Sequence, residues 1–143
     1  MIAPPPTGAR VLIAEDRRDT ATLLSELLTV AGFHPASASG HDVISEAVLH
    51  EDVAVVLASY SGRGIAATTE LVGALRARPE PALAEVGVVA VVDDPADARF
   101  GLDAAADVVL VRPFEATALA DAVTDVAATR SSARAARRAT VES

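Results

Sequence analysis

The chain has 143 residues, 12 basic and 20 acidic, giving a formal charge of −8 and a pI near 4.7. One domain of this size can bury a proper core, and the negative charge argues against a nucleic-acid-binding surface, which relies on clustered cations. The absence of cysteine excludes disulfides, thiolate metal sites and a cysteine nucleophile. Hydrophobic residues make up 51% of the chain and aromatic residues only 3%, so the core must be aliphatic, drawn from 32 Ala and 19 Val.

The opening MIAPPPTGAR lacks a basic start and is broken by Pro4, Pro5 and Pro6. It reads as a flexible arm over residues 1–9 rather than a secretory signal. Val11 to Ala14 is a short apolar run of β formers and predicts a first strand. Leu23, Leu24, Leu27, Leu28 and Ala31 then recur at helical spacing, with Gly32 as the stop. Phe33 to Ala38 reads as a weak second strand whose Pro35 suits a sheet edge. Val43, Ile44, Ala47 and Val48 give a second helix face. Val53 to Leu57 is a continuous apolar run, as expected of a strand covered on both sides.

A third helix is predicted from about Thr69, ending before Pro79. Gly87 to Val92 is the most strand-like segment. Pro95 to Ala105 predicts a short fourth helix carrying Phe100, and Val108 to Val111 a fifth strand. Leu119, Ala122, Val123 and Val126 form the stripe of a last helix. Strands alternating with helices through short loops imply one doubly wound (βα)5 domain of the α/β class, with a parallel sheet and helices on both faces. This domain is placed at residues 10–129. Residues 130–143 change character, with four Arg against one Glu, or +3, leaving −11 on the rest. They read as a basic tail, either a frayed helix end or a linker. The longest apolar stretch, Val86 to Val92, is far short of the ~20 residues a membrane helix needs. A soluble, cytoplasmic protein is expected.

In an open parallel sheet, function gathers at the carboxyl ends of the strands. Those ends carry Glu15 and Asp16, then Ser59, Tyr60 and Ser61, then Asp93 and Asp94, then Arg112, Pro113 and Phe114. VLIAEDRRD…LLSELLTVAGF and AADVVLVRPF resemble the opening and closing segments of a response-regulator receiver domain. The resemblance covers about residues 10–129 and implies a flavodoxin-like, five-stranded sheet in the order 2-1-3-4-5.

In that family a strand-3 aspartate accepts a phosphoryl group while an acidic pair holds Mg²⁺. A lysine neutralises developing charge, and a strand-4 Ser or Thr and a strand-5 aromatic relay the change. By resemblance, Glu15 and Asp16 correspond to the acidic pair and Arg112 to the lysine, followed by a cis peptide to Pro113. The phosphoacceptor position falls between Leu57, Ala58, Ser59 and Tyr60, with the register left open. No Asp or Glu occurs from Val53 to Thr69, and no Ser or Thr from Glu70 to Ala116. In every register, therefore, the acceptor carboxylate and the strand-4 hydroxyl are absent. Near the expected switch aromatic stand Val108 and Val109.

The expectation is a degenerate receiver: not an enzyme, without a cofactor, and with at most weak Mg²⁺ binding at Glu15, Asp16 and Asp93. An Arg112 ion pair to Glu15, Asp16, Asp93 or Asp94 would lock the pocket in one state. The competing reading of Glu15 and Asp16 is a polar loop, one of them capping the first helix. Gly62-Arg63-Gly64 is too weak a motif for an anion cradle. The expected partners are proteins, itself as a homodimer included, and neither nucleic acid nor membrane. An output domain would follow if the chain is a fragment. The pairing face implied by resemblance carries Phe100, Leu102, Leu110, Leu119 and Val123. Two alternatives stand beside this reading. One is a receiver controlled by a small ligand or by unconventional phosphorylation. The other is an unrelated flavodoxin-like enzyme or cofactor-binding domain.

Overall fold

A computed structural model describes residues 8–39, 42–50, 52–60, 65–99 and 105–142, with the side chains of 132–142 not described. Five strands form one sheet: β1 (Arg10–Ala14), β2 (His34–Ala38), β3 (Val53–Ala58), β4 (Gly87–Val92) and β5 (Val108–Val111). Their order is β2-β1-β3-β4-β5, and every pairing is parallel. The flavodoxin-like expectation thus holds, and Pro35 does sit on an edge strand.

Five described helices cover the sheet: α1 (Arg18–Val30), α2 (Asp42–Leu49), α3 (Ile65–Arg76), α4 (Pro81–Ala84) and α5 (Ala116–Glu142). Two aliphatic cores result, one on each face. Leu24 and Leu28 of α1 pack with Leu119, Val123 and Val126 of α5. On the other face Val43, Ala47, Leu71, Val72, Leu75 and Leu83 come together from α2, α3 and α4. Buried strands such as β3 and β4 meet both cores, which is why their sequences are continuous apolar runs rather than alternating ones.

Several elements differ from the sequence reading. Helix α3 starts at Ile65 rather than near Thr69, because Ile65-Ala66-Ala67 already favours a helix. Helix α4 was not foreseen; it is one turn with Pro81 at its start, where the missing N–H costs nothing. Pro95–Asp97 is a 3₁₀ turn, and Phe100 and Leu102 of the predicted fourth helix lie outside the described residues. In α1, Leu24 and Leu28 are buried while Leu23 is 55% exposed. Neither acidic residue of the first loop is the N-cap of α1. That position is Arg17, though the Glu15 carboxylate accepts from the Arg17 backbone N–H at 3.3 Å.

Residues 8 and 9, counted in the arm by sequence, are tied to the body. Gly8 N–H donates to Gly32 O at 2.8 Å, and His34 N–H to Ala9 O at 3.0 Å. Both glycines have positive φ, 84° and 97°, which a side chain would strain. Residues 1–7 lie outside the described residues. At the other end α5 runs unbroken through the basic stretch to Glu142.

Gly87 opens β4 where α5 crosses the sheet. A Cβ there would stand 2.5 Å from Val126 Cγ1 and 3.1 Å from Ala54 O, so only glycine lets the helix approach this closely.

Candidate functional site

The carboxyl ends of β1, β3, β4 and β5 converge on one rim, and the polar residues read from the sequence gather there. Ser59 follows β3, its N–H bonded to Ala14 O of β1 at 3.0 Å, and the residue is only 1% exposed. Tyr60 is also buried, with φ of 27°, an uncommon backbone state for a bulky residue. Leu57 and Ala58 are fully buried in opposite cores. Ser59 is therefore the first residue past β3 to bring a polar group to the rim.

Arg112 follows β5 and reaches across β4 toward β3, a span of about two strand spacings, or ~9.6 Å. Its guanidinium donates to Ser59 O at 2.8 Å and to Ser59 Oγ. A further N–H donates to an Asp93 carboxylate oxygen at 3.1 Å. The Arg112–Pro113 peptide is cis, as the resemblance implies. Of the four carboxylates that could have met Arg112, Asp93 is the one shown bound. Asp94 is used locally, its carboxylate accepting from Ala96 N–H at 2.9 Å to cap the 3₁₀ turn. The Asp93 side chain is 64% exposed and that of Arg112 22%. The ion pair itself is therefore screened, and the covered contact is the one to Ser59.

Glu15 is 3% exposed and Asp16 exposed. Mg²⁺ demands near-octahedral oxygen ligation. Here one carboxylate of the pair is buried against the Arg17 N–H, Asp93 is bound by Arg112, and β3 ends in a hydroxyl held by a cation. Among the described residues no group of three or more His, Asp or Glu is placed to hold a metal ion. Beside the rim, Tyr60, Thr68, Val91 and Asp93 line a cavity of about 130 Å³.

The pairing face is not as expected. Leu119 and Val123 are 1% and 0% exposed because they face the sheet, and Leu110 is half-buried against the same core. Leu119 and Val123 cannot form an open surface, and Leu110 offers one only in part. Gly62, Arg63 and Gly64 lie outside the described residues.

Sequence reasoning missed a second polar cluster at the amino ends of β4 and β5. Asp107 precedes β5 and its carboxylate accepts from Val88 N–H at 2.8 Å. Arg130 of α5 donates to it at 2.6 and 3.1 Å, and Arg76 of α3 at 3.3 Å. Arg76 also donates to Ala84 O at 3.0 Å and to Ala105 O at 3.1 Å. Burial, and then the nearby Arg130, lower the Arg76 pKa below its ordinary value, against the pull of Asp107. No local signal announces such partners, which lie 31 and 23 residues from Asp107.

Comparison with solved structures places this fold among receiver domains. A response-regulator receiver domain protein from Clostridium thermocellum superposes with a TM-score of 0.69 at 17% identity, covering 87% of this chain and 97% of that one. A signal receiver domain from Bermanella marisrubri gives 0.72 at 18% identity, over 83% and 98%. NtrX from Brucella abortus, solved in complex with ADP, gives 0.73 at 19% identity over 92% of this chain but 29% of its own. No family model and no curated protein matches the sequence. The chain has the receiver fold.

Proposed function

We propose that this chain is a regulatory receiver module that works through protein contacts without being phosphorylated, in the cytoplasm and without enzymatic activity of its own. One observation carries the reading: Ser59, at the end of β3, is clamped by the Arg112 guanidinium, with no carboxylate from Val53 to Thr69. Phosphoryl transfer needs an in-line nucleophile and a cation free to meet the developing charge. Here the nucleophile is missing and the cation is engaged. Unconventional phosphorylation has little support, because Ser59 and Tyr60 are both buried. Control by a small ligand has one observation in its favour, the cavity beside Tyr60 and Thr68. Its volume suits only a few heavy atoms or waters.

The test is incubation with Mg²⁺ and acetyl phosphate, or with beryllofluoride. Intact mass, amide NMR spectra and light scattering are expected to stay unchanged. A stoichiometric acyl phosphate, or beryllofluoride-dependent shifts around residues 57–60, would overturn the proposal.

A further inference from the structure

The inward stripe of α3 is Thr68, Leu71, Val72 and Leu75, all buried, so a hydroxyl stands where helical spacing places a core side chain. Thr68 is 2% exposed. Thr22, Thr29 and Thr69 each donate to a carbonyl of the preceding helical turn, at 2.9, 2.8 and 3.0 Å. Among the described residues, by contrast, no group bonds the Thr68 hydroxyl. A buried polar group without a hydrogen bond destabilises a fold, and native proteins satisfy such groups from outside the chain where room is left. Room is left here, because Thr68 stands on the wall of the cavity beside the rim.

Ile65, Val91 and Val92 give this cavity of about 130 Å³ apolar sides, while Asp93 and Asp97 bring carboxylates to it. A space of that size accepts a molecule no larger than benzene, with about six heavy atoms. Asp93 already shares the Arg112 cation. Asp97 is half-buried, and among the described residues its carboxylate has no partner. No cationic side chain lines the cavity among those residues. The occupant that answers these features together is a small cation with a short apolar body. Its N–H groups meet the Asp97 carboxylate and the Thr68 oxygen, and its carbons meet the valines. An anion would face two carboxylates, and a wholly apolar molecule would leave the hydroxyl unbonded.

We propose that this cavity binds a short-chain primary ammonium, with Asp97 as counter-ion and Thr68 as the internal hydrogen-bond partner. The proposal deepens the small-ligand reading above by giving the ligand a chemical class, and it rests on that cavity rather than on the missing phosphoacceptor. Acyl-phosphate formation would remove the protein-contact reading without bearing on amine binding. A chain indifferent to amines would leave the protein-contact reading standing.

The test is titration of the full chain with n-propylammonium chloride at constant ionic strength, followed by amide NMR. Saturable shifts are expected at residues 60, 65–68, 91–93 and 97, with a dissociation constant of about 1 mM for a ligand this small. Propan-1-ol has the same carbon chain without the charge and should bind at least tenfold more weakly. Propionate should not bind. Asp97→Asn should remove the preference for the ammonium over the alcohol. Thr68→Val keeps the shape of the side chain, so the thermal unfolding midpoint should not fall, while propylammonium binding weakens about fivefold. The proposal is overturned if no saturable shifts arise below ~50 mM. It is equally overturned if propionate binds as well as propylammonium, or if Asp97→Asn keeps the preference for the ammonium. A lower midpoint for Thr68→Val would also sink it, because the hydroxyl would then already be bonded in the empty protein.

Discussion

Two arginine–carboxylate clusters occupy opposite ends of the same sheet, and their chemistry is alike while their settings are not. At the amino ends of the strands Asp107 is 25% exposed, bound by Arg76 and Arg130, and bonded to a β4 backbone N–H. At the carboxyl ends Asp93 is 64% exposed and its shown partner is Arg112. The first cluster joins α3, α4, β4, β5 and α5 through groups that are all largely covered, so removing one member leaves the others with an unmet bond. The second is screened at the ion pair. Its covered part holds Ser59 in place. Polar groups far from the rim support the structure, while those on it shape the site.

The largest loss should come from Asp107→Ala, which leaves Arg76, Arg130 and the Val88 N–H short of an acceptor. About 3 kcal/mol of unfolding free energy is expected to disappear, measured by urea titration. A cost below ~1 kcal/mol would show that the two clusters are equivalent. Gly87→Ala follows, at about 1–3 kcal/mol for overpacking against Val126, read as a lower denaturation midpoint. Arg112→Ala should cost about 1 kcal/mol, since the exposed ion pair contributes little and the cost comes from the covered Ser59 oxygens losing a donor. Its visible effect is local, with amide shifts at residues 57–60 and 93. The comparison sharpens if Ser59→Asp is combined with Arg112→Lys, which installs an acceptor carboxylate and a compact cation. That variant is expected to gain Mg²⁺-dependent beryllofluoride shifts that the parent lacks, and its silence would locate the lesion elsewhere.

The smallest effect concerns pH. The Asp52 carboxylate is held below its usual pKa mainly by the hydrogen bond from Arg10. A depressed carboxylate stabilises the fold above its unfolded pKa, and that contribution is lost as pH falls through the lower folded value. The Asp52 side chain is 68% exposed, so Asp52→Asn should change stability only slightly near neutrality. The parent and variant curves should converge in acid.

Much of the fold was legible because burial leaves a mark on composition. The apolar runs at residues 53–57, 87–92 and 108–111 each became a strand, and Pro35 marked the edge. The rim residues were legible for a similar reason, being the first polar groups after such runs. Helix faces were harder to read. Leu23 and Val48 repeat at helical spacing yet are exposed, because spacing shows that a face exists without showing how wide the neighbouring element covers it. The reverse error put Leu119 and Val123 on a pairing face, when both lie against the sheet.

By itself the amino-acid sequence determined the succession of the five strands, the aliphatic core and the missing carboxylate after the third strand. These depend on local composition, which the chain carries wherever it goes. Only the tertiary structure decided that Ser59, rather than Leu57 or Ala58, is the residue Arg112 grips, that Asp93 and not Asp94 shares the cation, and that Arg76 and Arg130 meet at Asp107. A side chain's partner is set by which strands lie side by side and by half a turn of register. That information exists only once distant segments have packed.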